Sequence, residues 1–141
     1  MIILDTNVVA EIMKASPSRA VLDWLNAQDT ASLYLTAISL AEIGYGLCLL
    51  PNGKRRQFLA ERFEQFVAQA FEQRILSFDE AAARAYGGIM GHRKALGRPI
   101  SVTDGQIAAM AKTRGFTIAT RNIKDFEESP ITLVNPFQPP S

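Results

Sequence analysis

Four carboxylates, Asp5, Glu42, Asp104 and Asp125, stand far apart in the sequence, and each falls beside the end of an apolar run or the start of an amphipathic one. If those runs are the strands and helices of one open sheet, the four acids meet on one rim, where such sheets bind their ligands. A cluster of that kind repels itself unless a divalent cation neutralises it, and hard carboxylate oxygens suit Mg²⁺ or Mn²⁺. The implied chemistry is metal-assisted attack of water on a phosphodiester. Cys48 is the single cysteine and His92 the single histidine, so thiolate and histidine-rich metal sites are excluded and oxygen must hold any metal.

Each acid also has a plainer reading. Asp5 can cap the helix expected to start near Asn7. Glu42 lies three residues after Ser39, and Asp104 three after Ser101, so both fit a capping box. Asp125 fits a turn in the segment 122–126. Their joint placement favours the site. Glu61, Glu64 and Glu72 fall on a polar helix face and Asp79 on a helix start, so these four are left out of it.

The elements that must position the acids are legible as alternating short and long patterns. Ile2 to Leu4 reads as a strand buried on both faces. A helix follows over about 7–14, Ser16-Pro17-Ser18 breaks it, and a second helix carries Val21, Leu22, Trp24 and Leu25. Residues 32–36 read as the next strand, and Ser39 begins a helix stopped by the Pro51-Asn52-Gly53 turn. From Lys54 to Gln73, Phe58, Leu59, Phe63, Phe66, Val67 and Phe71 recur at helical spacing, a stripe serving as core or dimer surface. Residues 75–78 form a third strand, Asp79 caps a helix ending near Gly97, and another helix runs from about 102 to Gly115. Strands over 116–120 and 131–134 complete a mostly parallel sheet of about five strands in a three-layer α/β/α domain. One domain over 1–135 is expected, followed by a proline-rich, extended or frayed tail over 136–141.

Composition narrows the function further. With 48% apolar and 21% charged residues the chain can fill a core and wet a surface, which excludes disorder. No run approaches the ~20 apolar residues of a membrane span, and the apolar start stops at Asp5, so a soluble cytoplasmic protein is expected. Net charge is +1, from 15 basic and 14 acidic residues, and gives no global nucleic-acid footprint. Two local basic runs remain, Lys54-Arg55-Arg56 and Arg93-Lys94 with Arg98, where either phosphate contact or helix-end complementarity would place them. There is no phosphate-binding glycine loop, and Gly44-Tyr45-Gly46 lacks the third glycine of a dinucleotide site. Asp5-Thr6-Asn7 lacks the second aspartate of aspartyl-phosphate phosphatases. Cys48, in a helix among leucines, reads as a buried structural thiol, and His92 as a surface residue.

Ile3-Leu4-Asp5-Thr6-Asn7, Thr36-Ala37-Ile38-Ser39-Leu40-Ala41-Glu42, Asp104-Gly105-Gln106-Ile107-Ala108-Ala109 and Thr120-Arg121-Asn122-Ile123-Lys124-Asp125-Phe126 together resemble PIN-domain ribonucleases, above all VapC toxins of type II toxin–antitoxin pairs, including the FitB-like branch. The resemblance spans nearly the whole chain. It implies a PIN-like fold and a Mg²⁺- or Mn²⁺-dependent endoribonuclease that dimerises. It also implies silencing by a small cognate antitoxin, through which the pair binds operator DNA. Carried over by motif, Asp5 and Asp104 are the principal metal ligands, with Glu42 as a third ligand or as the orienter of the attacking water. Some family members have an acid where Asn122 stands, and others an aspartate three residues on, so Asp125 acts through a second metal or a bound water, or is structural. Thr6 and Thr120 are supporting hydroxyls, and Asn7 an amide behind the carboxylates. Two other classes compete with this reading: a non-catalytic binding module that regulates transcription with a partner, and a metal-dependent phosphatase acting on small esters.

Overall fold

The computed structural model describes residues 1–72 and 74–138. Five short strands form the centre: β1 (Ile2–Leu4), β2 (Leu33–Thr36), β3 (Ile75–Leu76), β4 (Thr117–Ala119) and β5 (Leu133–Val134). Their order across the sheet is β3-β2-β1-β4-β5, and every neighbouring pair is parallel. Parallel neighbours require crossovers, and the first three are helix pairs: α1 (Thr6–Ile12) with α2 (Arg19–Asn26), α3 (Ala37–Cys48) with α4 (Lys54–Phe66), and α5 (Glu80–Ala95) with α6 (Val102–Arg114).

The period-two geometry of β1 and β4 divides the core into two layers. Leu4 and Ala119 point to a cluster with Val8, Val9, Ile12, Val21 and Phe63, under the first four helices. Ile3 and Ile118 point to a second cluster with Ile89, Ile107, Met110 and Phe126, under α5 and α6. Both faces of the sheet are therefore covered, which explains why β1 reads as uninterrupted apolar residues. Helix α6 closes at Gly115, whose φ of 69° is left-handed, and Phe116 N–H donates to the Ala111 carbonyl. At Gly105 a side chain would meet Met90 Sδ at 2.3 Å and Tyr86 Cε2 at 3.0 Å, so the missing Cβ is what lets α5 and α6 approach at the level of Asp104.

Several boundaries depart from the sequence expectation. Helix α3 starts at Ala37, with Thr36 as its cap: the Ser39 N–H donates to Thr36 Oγ1 at 3.0 Å. Ser39 is thus inside the first turn, and Glu42 lies beyond the reach of any capping box. The helix expected over 54–73 is α-helical only to Phe66. Val67–Phe71 widen to a π turn in which Glu72 N–H donates to Val67 O, and Phe71 turns into the core edge-on to Phe66. Gln73 lies outside the described residues. Strands 3 and 5 are two residues each, shorter than expected. Cys48 is exposed rather than buried, because Leu40, Ile43 and Leu47 take the inward side of α3. The C-terminal segment is anchored where it begins: Pro136 is buried and Phe137 packs on the first core cluster. Residues 139–141 of the expected tail lie outside the described residues.

Candidate active site

Strand β1 is central and its two neighbours, β2 and β4, connect in opposite directions, so the topological switch point falls at its carboxyl end. Asp5 stands there. Its N–H continues the sheet by donating to Ala119 O at 2.9 Å, and its side chain is almost wholly withdrawn from solvent. Asp5 Oδ1 accepts the Thr6 N–H at 2.8 Å, while Oδ2 accepts the Thr120 hydroxyl at 2.8 Å and the Asn7 amide at 3.2 Å. Asp5 therefore does cap α1, but only with one of its two oxygens. Thr120, fully buried after β4, also accepts the Asn122 N–H at 3.0 Å, and Asn7 Oδ1 accepts the Arg121 N–H at 3.1 Å. The segments after β1 and β4 are thus tied together through Asp5, Asn7 and Thr120.

Thr6 faces the other way. Its hydroxyl donates to Glu42 Oε1 at 2.7 Å and lies 2.9 Å from the Ser39 hydroxyl, linking α1 to α3. Ser39 is a member of this network that sequence reasoning took only as a helix start. The signal that could have found it is the spacing of Thr36, Ser39 and Glu42, which repeats every three residues along one helix face. Asp104 sits in the first turn of α6, its N–H donating to the cap hydroxyl of Ser101 at 3.2 Å. Asp125 ends the short helical turn Ile123–Asp125.

Asp5 and Asp104 both feel Glu42 and Asp125. Burial, opposed by the Thr120 hydroxyl and the Thr6 N–H, raises the Asp5 carboxyl above its ordinary value, and Glu42 and Asp125 add to the rise. Asp104 is pushed up to about 6, by burial first and then by Asp5, with Asp125 and Glu42 contributing. No lysine or arginine among the described residues forms an ion pair with any of the four. Nor are any three His, Cys, Asp or Glu side chains among the described residues drawn together into a finished metal-binding cluster. An oxygen-only donor set in which Asp5 and Asp104 are both raised fits a hard divalent cation.

The basic residues are divided by the structure. Arg93 is buried, which corrects its placement in an RNA-facing patch: its guanidinium donates to the carbonyls of Arg98 at 2.7 Å, Lys124 at 3.1 Å and Glu127 at 2.6 Å. A helical residue on the inner face of α5 has been recruited to fasten the loop that carries Asp125. Lys94 and Arg98 remain exposed, Arg98 within 3.9 Å of Glu128. Lys54 is exposed, and Arg56 donates to the Asn52 side chain. Arg55 lines a groove of about 610 Å³ between α1, α3 and α4, which runs from Thr6 and Glu42 along Ile43 and Leu47 to Phe58. Phe58 is 59% exposed, so the aromatic stripe is split: Phe63, Phe66 and Phe71 serve the core while Phe58 stands at the groove. His92 is exposed, as expected.

A parallel sheet in this order, with carboxylates at its switch point and hydroxyls holding them, is the arrangement of the PIN domain, and residues 2–129 match that family. The chain belongs to the PIN-domain family. It is 45% identical to the VapC ribonuclease Y4jK of Sinorhizobium fredii over 139 residues, covering 99% of both chains. It is 41% identical to the toxin FitB of Neisseria gonorrhoeae, covering 97% of this chain and 99% of that one. Among solved structures, FitAB bound to an IR36 DNA fragment superposes with a TM-score of 0.92 at 40% identity, covering 100% of this chain and 99% of that chain. The expected α/β fold and the family resemblance are both borne out.

Proposed function

We propose that this chain is the ribonuclease toxin of a toxin–antitoxin pair, a cytoplasmic Mg²⁺- or Mn²⁺-dependent enzyme that hydrolyses RNA phosphodiester bonds. The observation that carries the reading is Asp5, buried at the switch point of the sheet and held by hydroxyl and amide hydrogen bonds, within electrostatic reach of Glu42, Asp104 and Asp125, with no basic side chain among the described residues paired to any of the four. Asp5 and Asp104 hold the cation. When bound, Mg²⁺ or Mn²⁺ supplies positive charge at the reacting phosphate and a water acidic enough to yield hydroxide near neutral pH. Glu42, its rotamer fixed by the Thr6 hydroxyl, would orient the attacking water. Thr120 and Asn7 hold the Asp5 carboxylate in place. Asp125 acts from the β4 side through a bound water or a second cation. Exposed Lys54, Arg55, Lys94 and Arg98, with half-buried Arg56, are available to RNA phosphates. The intact carboxylate set favours this over a non-catalytic module, and cleavage of RNA oligomers against turnover of a chromogenic phosphomonoester separates it from a small-ester phosphatase.

The apolar groove leading from Glu42 to Phe58 suits a partner helix or strand that lies across the site. This supports a cognate antitoxin as inhibitor, with operator DNA bound through it. Exposed Tyr45 and Leu49 on α3 support a homodimer. Sedimentation of the purified chain at micromolar concentration is expected to show a dimer, and a monomer would remove that part of the proposal.

Two further results are expected. Thr6→Val deletes the hydroxyl that holds Glu42 but keeps the backbone N–H that Asp5 accepts. RNA cleavage should fall roughly 10- to 100-fold. An unchanged rate would make the Thr6–Glu42 bond structural only. The second concerns protons. In the metal-free protein Asp104 binds its proton more tightly than in the unfolded chain, so its contribution to stability is present below its ordinary value of 3.8 and lost as pH rises through about 6. A cation must displace that proton, so Mn²⁺ affinity should climb with pH up to about 6 and then level. Calorimetric titration across that range checks the slope, and an affinity flat with pH would contradict it.

A further inference from the structure

The acidic rim opens on two sides into surroundings of opposite character. On the Glu42 side lies the apolar groove. On the Asp125 side lies a depression of about 520 Å³, walled by Arg121, Lys124, Asn135 and Gln138, with the acids Asp125 and Glu127 also in its lining. Its volume is within the range of small-ligand sites. Its walls are fixed from behind: buried Arg93 holds the Lys124 and Glu127 carbonyls, and the Arg121 N–H is bonded to Asn7, which in turn donates to Asp5. The pocket and the acid site thus share one hydrogen-bonded frame.

The groups presented are specific in kind. The Arg121 guanidinium lies 3.8 Å above the centre of the Phe137 ring and 3.6 Å from Glu11, so its plane is held, and its side chain is still 54% exposed. Asn135 Oδ1 accepts the Phe137 N–H at 2.9 Å, which orients the amide and leaves its NH₂ for a ligand acceptor. Lys124 is exposed and its ammonium makes no ion pair among the described residues. A cation, a stacking plane and amides beside the reacting centre match a nucleotide, with phosphate, π-face and hydrogen-bonding edge. An acidic peptide would use the cations and leave the plane and the amides unmatched.

We infer that this depression receives one nucleotide of the RNA, next to the scissile phosphodiester on the Asp125 side. The base stacks on Arg121, its edge meets Asn135 and Gln138, and Lys124 takes a phosphate. The inference rests on the ribonuclease reading, and its test is arranged to separate the two. Lys124→Ala with Gln138→Ala changes two exposed side chains that the fold does not need. Wild type and double variant are compared on a randomised single-stranded RNA. Binding is measured over a salt series with Ca²⁺ in place of the active metal, and cut sites are sequenced with Mg²⁺ or Mn²⁺. The variant is expected to bind about tenfold more weakly and to lose base preference at one position beside the cut. Its slope of log affinity against log salt should shrink by about 0.7, for one lost phosphate contact on a single strand. A drop in affinity or a flattened preference supports the site. If wild type cuts RNA and the variant matches it in affinity, slope and preference, the pocket is overturned while the ribonuclease reading stands. If wild type binds but never cuts, and the variant binds more weakly, the ribonuclease reading falls and the pocket stands. RNA bound by neither protein removes both.

Discussion

Asp5→Asn and Asp104→Asn are each expected to lower RNA cleavage by roughly a thousandfold or more, the scale on which a single positioned catalytic group acts. Either change removes one anionic oxygen from a cation held by oxygens alone. The fold should survive. Asn at position 5 keeps an acceptor for the Thr6 N–H or the Thr120 hydroxyl, and at position 104 it removes a carboxylate that burial and Asp5 have already pushed up to about 6. Asp104→Asn should therefore melt at or above the wild-type temperature in chelator, and lose the stabilisation that Mn²⁺ gives wild type. Thermal melting with and without Mn²⁺, beside a cleavage assay, separates the two roles of each acid. A variant that folds and cuts at the wild-type rate would show that its residue is a helix cap and nothing more.

The second large effect lies away from the acids. Arg93→Met keeps the aliphatic stem inside the fold but strands the carbonyls of Arg98, Lys124 and Glu127 that the guanidinium satisfies. Losing three hydrogen bonds from a buried guanidinium costs about 3 kcal/mol, a fall in Tm on the order of 10 °C for a domain of this size. Urea titration and melting read the stability. Cleavage should fall as well, because the same loop carries Asp125. Unchanged stability with weakened RNA binding would return Arg93 to the phosphate-contacting role that its neighbours in the sequence suggest.

Arg93 also shows where sequence reading stops. The element order, the parallel sheet and the two-faced core were legible because Ile2–Leu4 and Thr117–Ala119 are apolar on both faces and the helices between them carry a three-and-four rhythm. Asp5 was legible because it follows a strand and Asp104 because it opens a helix, whereas Glu42 lies in the middle of α3. A guanidinium buried against carbonyls of which two lie 31 and 34 positions away leaves no trace in local spacing. Cys48 failed for a related reason: leucines on both sides of it do not say which side of α3 turns inward. The start of α3 was ambiguous because Thr36 and Ser39 are both hydroxyl caps, and choosing between them shifts the register by three residues and changes what Glu42 can reach. The π turn at Val67–Phe71 keeps the same composition as an α-helix, so only the packing of Phe71 reveals it. The polar pocket at Asp125 joins residues 121–138 from two loops and is a purely tertiary feature.

The most direct measurement is RNA cleavage by the purified chain after metal is stripped with chelator and then restored. The account predicts no cleavage in chelator, recovery with Mg²⁺ or Mn²⁺, and no recovery with Asp5→Asn. Cleavage that persists through chelation, or a folded wild-type chain that cuts no RNA with either metal restored, would contradict it.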